Sequence, residues 1–168
     1  MHAGLSLAIR IPLHPTIPSQ ILPVGSEIID GVPFEFRRYV DAESALQLVA
    51  LLPVQRTLLA FDLAFAPDVH VFTVTPHFDN WIAILKGLMA LPCCERVLSG
   101  HGEPTDPSAM GATIEYLQMG KVVHAGSRDA SEYASRMKLA FPDRKHPNWI
   151  DVSASLLYNV VDAYVTDR

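Results

Sequence analysis

Charge is scarce in this chain: 18% of its 168 residues are Asp, Glu, Lys or Arg, while 49% are apolar, against about 25% charged in an average soluble domain. So little polar surface cannot coat a monomer evenly, and we expect one face to be covered. Basic clusters are also missing. With a formal net charge of −5 and no Lys/Arg stripe, the chain lacks the footprint that a phosphate backbone requires, which argues against a nucleic-acid partner. Cysteine is confined to the neighbouring pair Cys93 and Cys94. Adjacent cysteines rarely meet disulfide geometry, and no CxxC or Cys/His zinc spacing occurs, so a reducing, cytoplasmic setting is the simpler reading. The apolar stretch from Met1 to Leu13 is interrupted by Arg10 and leads into Pro12 and Pro15, so neither a signal-peptide core nor a membrane span is expected there. A soluble protein without a membrane partner is expected. Internal repeats and low-complexity tracts are absent as well.

What is present is enough for one core, so the expectation is a single domain over residues 1–168. Leu5, Leu7, Ile9 and Ile11 alternate at strand period and run into a connector holding Pro12, Pro15, Pro18 and Pro23. Glu27 to Ile29 and Val32 to Tyr39 flank Asp30-Gly31, a dipeptide that tolerates positive φ and suits a two-residue hairpin. Ala45 to Leu52 and Thr57 to Phe61 are short apolar runs split by Pro53-Val54-Gln55-Arg56, which predicts two further strands. Beyond Asp62 the period changes. Trp81, Ile84, Leu85, Leu88 and Leu91 recur at helical spacing, with Asp79 near the start and Pro92 closing the segment. Arg96 to Ser99 predicts a last short strand. Asp106-Pro107 then opens a helix, with the carboxylate as N-cap. Helices are expected at about Ser108 to Val123, Asp129 to Phe141 and Asn148 to Val165, the last carrying Ile150, Leu157, Val160, Val161 and Tyr164 on one side. The fold class is therefore α/β of the α+β kind: a mixed sheet with helices packed on one face and no evident cover on the other.

Asp62 and His101 stand out because each is polar where a strand gives way to a loop. Asp62 ends Leu58-Leu59-Ala60-Phe61. His101 sits inside Gly100-His101-Gly102, whose glycines let the backbone turn sharply. A carboxylate and an imidazole meeting at strand ends can ligate zinc or a similar ion, or act as a catalytic acid/base pair. The competing structural reading makes Asp62 an N-cap and His101 a loop residue bonded to a carbonyl.

The order Ile28-Ile29-Asp30-Gly31, Asp41-Ala42-Glu43-Ser44, Leu51-Leu52-Pro53, Thr57 to Asp62, Trp81 in its helix and Val97-Leu98-Ser99-Gly100-His101-Gly102 is similar to the second half of metallo-β-lactamase-fold hydrolases. The similarity covers about Ile28 to Tyr116. In that superfamily a strand ends in a metal-binding Asp, commonly within a Gly-Asp pair, and a later Gly-His-Gly-like turn supplies the last histidine; Asp62 and His101 match those positions. Two features depart from the pattern. The opening His-x-His-x-Asp-His motif has no counterpart here, and the middle motif's histidine falls at Glu43, an oxygen donor that favours harder ions. Phe61 replaces the glycine before the aspartate, a milder change. His70 is a further candidate ligand, because the loop after the aspartate often contacts substrate in the parent family. His77 is a weaker one; His14 and His124 read as solvated or structural, Asp68, Asp79 and Asp106 as residues that end or cap elements, and Trp81 as core in preference to a pocket wall.

The resemblance implies metal-dependent hydrolysis of an ester, thioester, lactone, amide or phosphodiester, with zinc or else iron or manganese as cofactor. It also implies a half-fold whose inner sheet face is bare, so a homodimer, or a missing N-terminal half, is expected to complete it. A non-catalytic dimeric or ligand-binding remnant of the same fold is the alternative.

Overall fold

The computed structural model describes residues 23–91 and 94–158. The expected strand at Leu5 to Ile11, the proline connector up to position 22, His14, Pro92, Cys93 and the tail holding Val160, Val161 and Tyr164 lie outside them. The described chain runs β1 (Gly25–Ile29), β2 (Val32–Val40), β3 (Leu46–Leu52), β4 (Thr57–Phe61), α1 (Phe78–Met89), β5 (Arg96–Ser99), α2 (Ser108–Ala125), α3 (Ala130–Ala140) and α4 (Asn148–Leu157). The architecture is α+β, a mixed sheet with strand order β1-β2-β3-β4-β5 and four helices.

The strands form where apolar and β-branched residues alternate, and the turns sit where the backbone can reverse. Asp30 and Gly31 both adopt positive φ, at 49° and 79°, as a two-residue hairpin requires. β1 to β4 form an antiparallel meander. The chain then crosses through α1 to lay β5 parallel to β4, pairing Leu58 with Val97 and Phe61 with Ser99. A parallel neighbour needs such a crossover, and an amphipathic helix supplies it.

Side-chain parity separates the two faces of the sheet. Val49, Leu51, Leu58, Ala60 and Val97 point to one face and join the core with Trp81, Leu85, Leu88, Met110, Leu117 and Met137. Trp81 is fully buried, and its indole donates to Leu63 O at 2.9 Å. Alternate positions point to the opposite face. There Phe34 stacks on Phe36, while Ile29 (41% exposed), Val40 (54%), Leu46 (60%) and Leu48 (38%) remain open.

Two helix starts, those of α2 and α3, have a carboxylate that accepts from a first-turn N–H. Asp106 accepts from Ser108 N–H at 2.7 Å one position ahead of the N-cap assigned at Pro107. Asp129 accepts from Glu132 N–H, so it precedes α3 and is not its first residue. Asp79 does not act as a cap: its carboxylate takes a 2.6 Å bond from Lys121 of α2. Asp68 pairs with Lys145 at 2.6 Å. No helix among the described residues is long and apolar enough to cross a membrane.

Candidate functional site

Because β4 and β5 are parallel neighbours, the residues that follow them emerge side by side at one end of the sheet, the usual place for a site in parallel-stranded folds. Asp62 leaves β4 and His101 leaves β5 after Gly100, with Asp62 Oδ1 3.5 Å from His101 Nε2. Both side chains are about half exposed, at 50% and 45%. Local backbone bonds fix the two turns against each other: Gly100 N–H donates to Phe61 O at 2.8 Å, and Ala66 N–H donates to His101 O at 3.2 Å. Gly102 is required sterically, and Gly100 is crowded by a side chain that would have to move. A Cβ on Gly100 would overlap the Asp62 carboxylate, and Gly102 holds φ +94° where a Cβ would overlap Ala66. Phe61 itself adopts φ 47°. That left-handed conformation is one a glycine adopts without the penalty a Cβ brings.

Antiparallel pairing brings a third loop to the same sheet end. Val40 pairs with Leu46, so the turn between β2 and β3, with Glu43 at its centre, lies beside the end of β4. Asn80 of α1 holds this turn by donating to Val40 O and Asp41 O at 2.8 and 2.7 Å. The Glu43 carboxylate accepts from Gln47 Nε2 at 2.6 Å. Burial, and secondly the charge of Asp62, raise the Glu43 pKa above its ordinary value. Glu43 therefore senses Asp62 electrostatically.

His70 is not brought to this end. It is 1% exposed, its Nδ1 lies 3.2 Å from Tyr116 Oη, and its ring meets Tyr116 edge-on. Burial, then the charge of Arg144, lowers its pKa to about 4. The Arg144 guanidinium stacks over Tyr116 and Phe141 and donates to Val69 O and Ala112 O. This is a satisfied interior histidine. His77 is the exposed N-cap residue of α1 without a side-chain capping bond. His124 packs among Phe78, Tyr133 and Tyr158.

Sequence reasoning missed the aromatic wall beside His101. Phe65 stacks on the His101 ring, and Trp149 of α4 meets it edge-on at 4.7 Å between centroids. His146 stacks on Trp149 at 4.5 Å, and Phe72 approaches Trp149 edge-on.

The donors at this end do not by themselves fit a catalytic zinc, which takes three protein ligands. Asp62 and His101 supply two, and among the described residues no group of three or more His, Cys, Asp or Glu is placed to hold a metal ion. Neither Glu43, tied to Gln47, nor His70 completes the set.

No family model matches the sequence, and no curated protein matches it. Solved structures do. The chain is similar to a metallo-β-lactamase family protein from Thermus thermophilus, with 14% identity and a TM-score of 0.59, covering 83% of this chain and 48% of that one. A β-lactamase domain protein from Burkholderia ambifaria gives 15% identity and a TM-score of 0.57, covering 86% and 45%. A stereoselective inverting sec-alkylsulfatase from Pseudomonas sp. gives 16% and 0.52, covering 89% and 26%. The chain has the metallo-β-lactamase fold over less than half the length of each of these proteins, a coverage consistent with a C-terminal half. Such a likeness shows fold and leaves chemistry to the site.

Proposed function

We propose that this chain, carrying part of a metallo-β-lactamase fold, contributes Asp62 and His101 to the metal site of a hydrolase acting on ester, thioester, lactone or amide-type bonds. The remaining ligands come from whatever covers the sheet face that is bare among the described residues. The observation that carries the reading is the 3.5 Å approach of Asp62 Oδ1 to His101 Nε2 at the ends of adjoining parallel strands. Zinc is the first candidate for such a donor pair, iron or manganese the next. With only two ligands on this chain, no hydrolytic step is assigned to it alone.

The cover we propose is a second copy, sheet against sheet. Ile29, Val40, Leu46 and Leu48 present an apolar face of the sort that folded proteins bury. The same face carries Glu27 and Arg38 by strand parity, so a two-fold stack can pair one copy's acid with the other's base. A second reading, a dimeric remnant without catalysis, is favoured by the engagement of Glu43 with Gln47.

Metal content and mass in solution test both. The hydrolase reading expects a dimer that retains stoichiometric metal, lost in His101→Ala, and a monomer in Leu48→Glu. A metal-free dimer would leave the second reading. A dispersed monomer with a bare, dye-silent face would overturn the proposed pairing.

A further inference from the structure

Beside the Asp62–His101 pair lies a cleft of about 220 Å³ lined by Phe72, His101 and Trp149. Its three rings come from three parts of the chain: the segment after β4, the turn after β5 and the first turn of α4. A larger groove of about 350 Å³ between α2 and α3 is lined by Glu115, Met119, Val122 and Phe141 among others, and neither member of the pair borders it.

The small cleft is built on fixed supports. Trp149 is clamped on one side by His146, rings 4.5 Å apart and within 13° of parallel. Its helix is anchored by Ile150 and Ala154 in the core and by Ser153 Oγ, which accepts from Thr73 N–H at 3.0 Å. His101 is backed by Phe65, which is 1% exposed. Phe72 completes the wall through its edge contact to Trp149 at 6.5 Å. Rings held in this way lose little freedom when a ligand arrives.

We infer that this cleft is a binding subsite for a neutral aryl group, the non-reacting end of a substrate whose scissile bond lies at Asp62 and His101. Edge and face contacts from aromatic walls favour a flat ring over an aliphatic chain of equal size. The volume is right for one ring with a short arm, since an apolar cavity of about 150 Å³ takes a benzene. Neutrality follows from the lining, in which no carboxylate, Lys or Arg faces the ligand, and the carboxylates of Asp62 and Glu43 at the same sheet end further disfavour an anionic ring. The assignment as a substrate pocket rests on the hydrolase reading. Ring binding itself needs no metal.

Benzyl alcohol titrated into the metal-free full-length protein separates the two. The chain has two tryptophans, so its ¹⁵N spectrum carries two indole signals, and Trp149→Phe identifies which belongs to the cleft. The Trp149 signal is expected to shift saturably with benzyl alcohol and at least about tenfold more weakly with ethanol. The buried Trp81 signal stays fixed and reports that each variant is folded. Phe72→Ala is expected to weaken binding by about tenfold, and the milder Phe72→Leu by less. A linear response, equal shifts with ethanol, or unchanged affinity in a folded Phe72→Ala would overturn the subsite. Ring binding in a protein that never takes up metal would keep the subsite and remove the hydrolase.

Discussion

Replacing His70 by glutamine tests whether the interior imidazole is a stability element or an exposed ligand. In the fold its pKa drops from 6.5 to about 4, because burial disfavours the imidazolium and Arg144 adds like charge. The unfolded chain takes up the proton near pH 6.5, and the folded one resists until about pH 4. Between those values the unfolded state binds more protons, so the stabilisation is complete above pH 6.5 and lost as pH falls toward 4. At about 1.4 kcal/mol per pH unit the loss reaches about 3 kcal/mol by pH 4. Urea unfolding of the wild type and His70→Gln at about pH 7 and about pH 4 measures it. The wild type should lose up to about 3 kcal/mol more than the variant over that interval, since glutamine does not titrate and the carboxylates common to both cancel. Parallel losses in the two proteins would refute the argument and reopen His70 as a solvent-facing candidate.

Two further substitutions probe the loops that carry the site. At Phe61, with φ 47°, Phe61→Gly is expected to be more stable than Phe61→Ala by about 1 kcal/mol, because both lose the ring and only alanine retains the left-handed penalty; equal melting curves would count against strain at this corner. Asn80→Ala removes the two bonds that hold the Glu43 turn and should cost about 1 kcal/mol while speeding amide exchange at Ala42 to Ser44. Unchanged exchange there would mean the turn holds itself.

The strands were readable because their periods are local. Asp30-Gly31 marks the first hairpin, and Trp81, Leu85 and Leu88 mark the buried stripe of α1. The pairing of Asp62 with His101 was readable as an expectation only, since nothing in the spacing says that β5 lies parallel to β4. The segment after Asp62 misled. A stretch without regular structure normally runs over the surface and carries contacts to ligands, whereas here Leu63, Ala64, Phe65, Val69, His70, Val71 and Thr73 are all buried. The chain enters the core without forming a helix or strand, held by such bonds as His70 N–H to Lys145 O and Thr73 N–H to Ser153 Oγ. Those partners lie about 75 to 80 residues away, so no local pattern reveals the burial. Trp149 escaped for the same reason. Its contact with His101 depends on how α4 docks and not on any motif around it.

Among the described residues, the open sheet face and the incomplete ligand set meet at one place. Val40 and Leu46 flank the Glu43 turn, and that turn lies at the sheet end where Asp62 and His101 emerge, so the most exposed apolar residues of the face border the candidate site. Any body that buries Val40, Leu46 and Leu48 therefore brings its own side chains next to the pair. Hydrophobic burial is non-directional and sets how strongly the cover binds. The ligands it delivers decide whether the joined site has the three donors that a catalytic ion needs. Association and chemistry are thus separable: a cover with the wrong residues would still bury the face and would leave the pair inert.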